Sequence, residues 1–182
     1  MNSPLGTAVA ILSIWIAAGP AAPAPASPEP VKIAFVDTGA TGRSVAAEAI
    51  AGIAARRAGR PLLLISRAVD LDPFETTPEP EVARLLKRRG LDVSAHRAQA
   101  LTADDVRHAS VILTMTGRHR DAVVDRFPEA AAKTFRLAEY AGAGPVDIAD
   151  AKGRPPAVYR AMIAQLDRYL PPALARATGS KR

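Results

Sequence analysis

Eight consecutive residues combine the types and spacing that could hold a tetrahedral oxyanion. They are Asp37-Thr38-Gly39-Ala40-Thr41-Gly42-Arg43-Ser44. Glycines allow successive backbone N–H groups to turn inward as an anion-binding nest, and a helix that begins directly afterwards adds positive potential. A guanidinium such as that of Arg43 matches two oxygens of one oxyanion. The segment therefore predicts an oxyanion-binding loop, and an ordinary glycine-rich connection is the alternative.

The elements around this loop predict an α/β fold. A short apolar strand is expected at 31–36, before the loop, and a helix from Ser44 to about Ala58 after it, with the Ser44 hydroxyl as its cap. The remaining pattern predicts strands at 62–66, 110–115 and 133–137, and helices at 79–89, after Thr102, at 117–127 and at 157–170. The strands are continuously apolar, which is typical of a parallel sheet covered on both faces. We therefore expect a three-layer αβα, Rossmann-like domain with a four-stranded parallel sheet, whose ligand site lies at the carboxyl ends of the strands.

The N-terminal region predicts export. An uncharged apolar run covers residues 5–18, too short to span a bilayer as a helix, and Ala24-Pro25-Ala26 has the small-x-small form of a cleavage site. The organisation expected is a signal peptide at 1–26, a linker at 27–30, the domain at 31–172 and a flexible tail at 173–182. We expect a periplasmic or secreted protein without a stable membrane span after cleavage. The first six residues lack Lys and Arg, so an uncleaved anchor or a misassigned start, with a cytoplasmic protein, remain alternatives.

The amino-acid composition excludes several kinds of site. The chain of 182 residues has no cysteine, which excludes disulfides, thiolate metal sites and a thiol nucleophile. Its formal charge of +6 favours an anionic partner such as a phosphorylated ligand. With only 4% aromatic residues, a stacking platform for nucleic acid is not expected. No cofactor or metal site is predicted, and the oligomeric state is left open.

Motifs along the chain resemble the low-molecular-weight protein tyrosine phosphatases and the related arsenate reductases. That family carries Cys-Thr-Gly-Asn-x-Cys-Arg-Ser after its first strand, where this chain has DTGATGRS. Further similar stretches follow in order at 91–98, at 112–116 with His119, and at 127–130. The resemblance covers about residues 31–170. It implies the fold described above and a loop, 38–44, that binds phosphate, with Thr38, Gly39, Ala40, Thr41, Gly42, Arg43 and Ser44 as its residues.

The departures from the family pattern concern the chemistry itself. Asp37 stands at the position of the nucleophilic cysteine, Ala40 at that of the loop asparagine and Gly42 at that of the second cysteine. The resemblance implies that Asp150, followed by alanine instead of proline, stands at the general-acid position. Arg43 keeps the family's phosphate-binding arginine. His96 and His119 match family positions, and we expect them to act as hydrogen-bonding scaffold residues.

An aspartate in an oxyanion nest changes what the loop can do. A carboxylate is a poorer nucleophile toward phosphorus than a thiolate, and its own oxygens can occupy the nest. Two like charges about 4 Å apart repel by roughly 4 kcal/mol at an effective dielectric constant of about 20. We therefore expect Asp37 to pair with Arg43 and fill the pocket as an internal anion.

Three functions remain open at this stage. The first is a pseudophosphatase with a binding or regulatory role. The second is a phosphomonoesterase with altered chemistry, which could be metal-assisted if Asp147 and Asp150 approach Asp37. The third is reuse of the fold for an unrelated task, such as an interaction module of the cell envelope. Lys152-Gly153-Arg154 replaces the aromatic residues that grip phosphotyrosine in the family, and this predicts a cationic rim.

Overall fold

The computed structural model describes residues 30–57 and 61–179. Its strands are β1 (Val31–Asp37), β2 (Leu62–Ala68), β3 (Val111–Thr114) and β4 (Thr134–Arg136). Its α-helices are α1 (Arg43–Arg57), α2 (Pro80–Lys87), α3 (Ala103–His108), α4 (Gly117–Arg126), α5 (Leu137–Tyr140) and α6 (Pro156–Ala177). A 3-10 helix spans Pro128–Lys133. The predicted signal peptide and linker lie outside the described residues and stay predictions.

The four strands form one parallel sheet in the order β2-β1-β3-β4, which confirms the predicted fold class. Successive side chains of β1 point to opposite faces, as the period of a strand requires. Ile33 and Phe35 pack into the larger core with α1, α2 and α6, whereas Ala34 and Val36 pack into a second core with α3 and α4. The sheet is therefore the middle of three layers. Because β2 and β3 flank β1 on opposite sides, the carboxyl end of β1 lies where the strand order reverses.

The closing helix α6 is longer than predicted. The predicted helix ended at residue 170, directly before Pro171-Pro172, because proline lacks the N–H that an interior helical position donates. That prediction is wrong, since α6 runs through both prolines to Ala177. Ala173 and Leu174 are buried in the same core as Leu170, so packing of this last stretch outweighs the lost hydrogen bonds. The tail expected from residue 173 thus begins inside a packed helix.

The start of α3 after Thr102 was predicted correctly. Thr102 begins α3 with a capping box, because its hydroxyl accepts a hydrogen bond from the Asp105 N–H at 3.0 Å and Asp105 accepts one from the Thr102 N–H at 3.4 Å. The short elements around 128–133 and 137–140 were not predicted. Among residues 30–57 and 61–179, no helix is both long and apolar enough to cross a bilayer.

Candidate functional site

The predicted oxyanion loop joins β1 to α1 at the expected edge of the sheet. Asp37 is the last residue of β1, and Arg43 is the first of α1. Ala40 at the centre of the loop has φ 53°, in the left-handed region that an alanine occupies at a cost of about 1–2 kcal/mol. Two hydrogen bonds hold it there: its N–H donates to Asp37 Oδ1 at 2.7 Å, and its carbonyl accepts from His96 Nε2 at 2.8 Å. The loop is thus fixed from both sides.

The Asp37 carboxylate lies inside the nest and uses both oxygens. Oδ1 accepts the Ala40 N–H at 2.7 Å, and Oδ2 accepts the Ser44 N–H at 2.9 Å. Asp37 is only 3% exposed. Its carboxylate also takes the capping role expected of the Ser44 hydroxyl, because it satisfies an N–H in the first turn of α1. The Ser44 hydroxyl, buried one residue inside the helix, has no hydrogen-bond partner among the described residues.

Arg43 does not pair with Asp37, which corrects the sequence-based expectation. Its guanidinium is buried and donates from Nη2 to Asp150 Oδ2 at 3.3 Å and from Nη1 to the Ile148 carbonyl at 3.5 Å. The backbone N–H groups of the loop already satisfy the Asp37 carboxylate, so the guanidinium turns to the other carboxylate within reach. Asp37, Arg43 and Asp150 therefore line one pocket. Arg43 pairs there with Asp150, whereas the sequence predicted a pair with Asp37.

Two histidines support the loop from opposite sides. His96 bonds the Ala40 carbonyl, as described above, and His119 Nε2 lies 2.9 Å from the Thr38 hydroxyl. Burial, together with the positive charge of Arg43, lowers the pKa of His119 from 6.5 to about 4. The His119 imidazole is therefore neutral at neutral pH. Both contacts are those of hydrogen-bonding scaffold residues.

Sequence reasoning missed the segment 70–79, which lies against the loop. Its backbone N–H groups donate to loop carbonyls: Asp70 to Thr38 at 2.9 Å and Glu79 to Thr41 at 2.9 Å. The segment follows β2, so it leaves the same edge of the parallel sheet as the loop does. Acidic residues placed directly after a second strand were the signal that could have identified it.

Glu79 of this segment packs directly on the loop at Gly42. A Cβ added at Gly42 would lie 2.4 Å from Glu79 Oε1, so the carboxylate occupies space that a side chain at position 42 would need. Glu79 Oε2 accepts a hydrogen bond from the Tyr159 hydroxyl at 2.8 Å. Burial is the main cause that raises the pKa of Glu79, and the carboxylates of Asp150 and Asp37 raise it further, against the lowering effect of the Tyr159 bond. Gly42 stands where the family has a cysteine, and the absence of a side chain there makes room for the Glu79 carboxylate.

Tyr159 of α6 also belongs to the site. It is buried at 6% exposure, and its hydroxyl is the partner of Glu79. Burial and the bond to Glu79 raise the pKa of this hydroxyl to about 12, so it stays a hydrogen-bond donor at any physiological pH. A residue on α6 therefore fixes the acidic segment over the loop.

The pocket above the loop has a volume of about 250 Å³ and a mostly acidic wall. Two cations line it, and both are paired: Arg43 with Asp150, and Lys152 with Glu75. Of the predicted cationic rim Lys152-Gly153-Arg154, Lys152 lines the pocket, and Glu75 of the segment 70–79 pairs with it. The carboxylates around the pocket are Asp37, Asp70, Asp72, Glu75, Glu79 and Asp150.

The three carboxylates proposed for a metal-assisted reaction are not grouped around one point. Asp147 accepts a hydrogen bond from the N–H of Gly117, the first residue of α4, at 2.9 Å, and it lies 3.5 Å from the Arg136 guanidinium. Asp150 is engaged by Arg43, and Asp37 by the loop. Within 30–57 and 61–179, no group of three or more histidine or acidic side chains is placed to hold a metal ion. The hypothesis that Asp37, Asp147 and Asp150 share a divalent cation is therefore wrong.

An oxyanion-type loop at the switch point of a four-stranded parallel sheet, with a buried arginine at the start of the following helix, defines a phosphatase-like α/β domain. The model of the low molecular weight phosphotyrosine protein phosphatase family matches residues 32–179. The chain belongs to this family.

Relatives and solved structures agree with this membership. A protein-arginine-phosphatase of Geobacillus stearothermophilus is 34% identical over 147 residues, which cover 78% of this chain and 92% of the relative. A low molecular weight protein tyrosine phosphatase from T. tengcongensis superposes with a TM-score of 0.74 at 30% identity, covering 79% of this chain and 97% of the other. A mutant of the arginine phosphatase YwlE with a phosphorylated active-site serine superposes with a TM-score of 0.76 at 28% identity, covering 84% and 98%.

Proposed function

We propose that this protein is a pseudophosphatase, a binding or regulatory domain built on the phosphatase scaffold. The observation that carries the proposal is the position of the Asp37 carboxylate, whose two oxygens accept the Ala40 and Ser44 N–H groups. In the family mechanism, such loop N–H groups hold the oxygens of the phosphoryl group while a thiolate attacks phosphorus. Here the residue at the nucleophile position uses two of those donors itself.

The negative charge of Asp37 also opposes the binding of a phosphate. A phosphate seated in the loop would meet the buried negative charge of Asp37 at close range. At about 4 Å and an effective dielectric constant of about 20, unit charges repel by roughly 4 kcal/mol. Even half of that energy weakens binding by more than about tenfold. We therefore expect weak oxyanion binding and no thiolate-like turnover.

A phosphomonoesterase in which Asp37 itself takes the phosphoryl group is the second candidate. The presence of Arg43 and Asp150 at the same pocket favours it, since these are the phosphate-binding and general-acid positions of the family. The phosphorylated serine in the YwlE mutant is an oxygen group that carries phosphate in that protein. In this chain, Asp37 would first have to release both N–H groups, and its acyl phosphate would then have to be hydrolysed.

Turnover measurements on residues 27–182 separate the two candidates. The substrates are p-nitrophenyl phosphate and phosphoarginine, the second chosen because relatives carry the name protein-arginine-phosphatase. We expect no turnover above a matched Arg43→Ala variant. An activity that Arg43→Ala and Asp37→Ala both abolish would overturn the pseudophosphatase proposal and support the second candidate.

The activity of the Asp37→Cys variant measures how much of the family's catalytic machinery this chain retains. Turnover by this variant would mean that the loop, Arg43 and Asp150 are competent and that only the nucleophile has been lost. If Asp37→Cys stays inactive, Glu79 is the next residue to change, because its carboxylate packs on Gly42 and adds negative charge at the same pocket. The double variant Asp37→Cys, Glu79→Gln is the matched comparison.

The N-terminal segment supports a proposal about the place of action. We propose that the mature protein begins at Ser27 and works outside the cytoplasm. Fractionation of expressing cells, with mass spectrometry of the purified protein, tests this. A cytoplasmic protein that retains residues 1–26 would contradict it.

A further inference from the structure

We propose that two copies of this chain pair along the outer side of β2 and join their sheets across a two-fold axis. The surface involved is residues 62–66 of β2, named here the β2 edge, and a groove of about 820 Å³ runs beside it. Helix α1 and the segment 90–96 form the walls of this groove. The surface lies outside the pocket above the oxyanion loop, so the inference is independent of the proposed function.

The β2 edge has backbone groups that no neighbouring strand uses. β2 is the outermost strand of the sheet, so only its inner side pairs with β1. The N–H and C=O of Ala68 point outward, where they bond to the segment 99–101. Because this direction alternates along a strand, the same groups of Leu62, Leu64 and Ser66 also point outward. Within the described residues, no backbone group pairs with those three, so another strand can add there.

The side chains of the β2 edge lack the charges that commonly protect a free strand from pairing. They are Leu62, Leu63, Leu64, Ile65 and Ser66. Leu63 is 49% exposed. Arg67, the next residue, donates to Asp105 at 2.8 Å and to the Ser66 carbonyl at 2.9 Å, so it reaches only the last residue of the edge. Exposed edges are usually blunted by lysine, proline or a bulge, and an apolar edge without them indicates a partner strand.

The free stretch is symmetric about Leu64, which favours a second copy as the added strand. The segment 99–101 already occupies the edge beyond Ser66, so pairing must end there. In an antiparallel pair centred on Leu64, each Leu64 lies opposite its counterpart, and each Leu63 lies opposite Ile65 of the other copy. This pairing covers the exposed Leu63 side chains. It uses the same surface on both partners, as a two-fold axis requires.

Helix α1 places Gly52 at about the height of Leu64. The helix ends at Arg57 and β2 begins at Leu62, at the same end of the sheet, and the two elements run in opposite directions. At about 1.5 Å per helical residue, Gly52 lies about 7.5 Å from the end of α1. At about 3.3 Å per strand residue, Leu64 lies about 6.6 Å from the start of β2. A two-fold axis through Leu64 therefore passes close to Gly52.

The charges on α1 are complementary about the same axis. Glu48, Gly52 and Arg56 follow one another at intervals of four residues, so they share one face of α1, and all three line the groove. With Gly52 near the axis, Glu48 of each copy faces Arg56 of the other. In the described part of the chain, neither charge takes part in an ion pair. The helices thus supply two opposite-charge pairs to the same two-fold arrangement that β2 supports.

The mass of the protein in solution tests the proposal. Sedimentation velocity of residues 27–182 would be measured from about 1 μM to about 1 mM. We expect an equilibrium between monomer and dimer without larger species, because a two-fold interface closes on itself. A monomer over the whole concentration range would overturn the proposal.

A lysine on the β2 edge locates the interface. Leu63→Lys should raise the dissociation constant of the dimer at least about tenfold, since it places a charge among apolar side chains of the pairing strand. Val146→Lys is the matched control, because Val146 is a similarly exposed apolar residue, at 39%, in the loop after α5. This control should leave the dissociation constant unchanged. Equal effects of the two variants, or an unchanged dimer in Leu63→Lys, would overturn the proposal.

Charge reversal on α1 tests the two-fold arrangement. Glu48→Arg alone should weaken the dimer about tenfold, because two guanidinium groups would then face each other across the axis. The double variant Glu48→Arg, Arg56→Glu restores opposite charges and should recover most of the natural affinity. A double variant that dimerises no better than Glu48→Arg would contradict the arrangement.

Single cysteines report the register directly, because the natural chain contains none. In the proposed pairing, the two Leu64 Cα atoms are about 5.5 Å apart, within the range that a disulfide spans. The two Leu63 Cα atoms are about 7–8 Å apart, which is too far for one. Under mild oxidation, Leu64→Cys should therefore form a covalent dimer much faster than Leu63→Cys. Cross-linking of Leu63→Cys at an equal or higher rate would overturn the proposed pairing.

Discussion

Asp37 Oδ2 accepts a hydrogen bond from the Ser44 N–H at 2.9 Å, which ties the end of β1 to the first turn of α1. The bond spans seven residues and closes the loop from within. Together with the bond from Ala40, it turns a segment that could receive an external anion into one that carries its own.

Replacing Asp37 with asparagine should lower the free energy of unfolding by about 2 kcal/mol. Hydrogen bonds to a charged acceptor contribute roughly 1.5–3 kcal/mol each, and an asparagine has only one oxygen for two N–H donors. One donor would then face an NH₂ group in a buried site. Urea unfolding at pH 7.5 measures the change. Asp121→Asn, on an exposed residue of α4, is the control, and equal stability of the two variants would contradict this view of Asp37.

Gly42→Ala should destabilise the protein, whereas Gly39→Ala in the same loop should not. An alanine Cβ at position 42 would lie 2.4 Å from Glu79 Oε1, but at position 39 the nearest atom is the Thr41 hydroxyl oxygen at 3.7 Å. Glu79 Oε2 accepts the hydrogen bond from the Tyr159 hydroxyl, so a shift of the carboxylate away from position 42 would disturb that bond. A loss of about 1–2 kcal/mol is expected.

The double variant Gly42→Ala, Glu79→Ala checks the cause of that loss. Removing the glutamate side chain should make the alanine at position 42 nearly neutral, so the two effects should be strongly non-additive. Additive losses in a thermal or urea denaturation cycle would show that Gly42 is needed for another reason.

Stability should fall in mildly acidic solution because of His119. Its pKa is about 4 in the folded protein against an ordinary value of 6.5, so the unfolded chain binds the proton more readily. By linkage, the full contribution is present above about pH 6.5 and is lost progressively as the pH falls toward 4. The loss should be on the order of 2 kcal/mol after allowance for partial screening.

The variant His119→Gln isolates this term from the other titrating groups. A glutamine amide can replace Nε2 as the partner of the Thr38 hydroxyl but does not titrate. Its unfolding free energy should therefore change less between pH 7 and pH 4.5 than that of the natural protein. Parallel pH profiles would assign the acid sensitivity to other groups, such as the carboxylates of the pocket.

The C-terminal part of α6 should contribute to stability even though two prolines precede it. A chain ending at Leu170 loses Ala173 and Leu174, both of which are buried. Burial of one leucine and one alanine side chain corresponds to about 2–3 kcal/mol. A chain ending at Gly179 is the control and should match the full protein. Equal melting temperatures for both truncations would contradict the packed continuation of α6.

The sequence predicted the features that depend on local pattern and failed on those that depend on distant partners. The apolar run of β1, the glycine loop and the following helix are local, and the parallel sheet with its switch point follows from their alternation. The helix stop at Pro171 was wrong because the burial of Leu174 is a tertiary effect. The partner of Arg43 was wrong for a similar reason, since Asp150 is brought in from 107 residues away.

Segment 70–79 illustrates what remained hidden in the sequence. The predicted elements left it as the stretch between the strand at 62–66 and the helix at 79–89. The backbone bonds to Thr38 and Thr41 decide that it covers the loop, and no periodicity encodes them. As a consequence, the sequence did not reveal that Lys152 of the predicted cationic rim pairs with Glu75 of this segment.

The amide signals of Ala40 and Ser44 give the most direct test of the central claim, that Asp37 occupies the oxyanion nest. Two-dimensional ¹H–¹⁵N spectra of residues 27–182 would be recorded at neutral pH during a titration with orthovanadate, first on the natural protein and then on Asp37→Ser. We predict that the two signals do not move in the natural protein and that they shift saturably in the variant. A saturable shift of both signals in the natural protein, abolished by Arg43→Ala, would mean that the carboxylate yields its place to the oxyanion, and the account would be wrong.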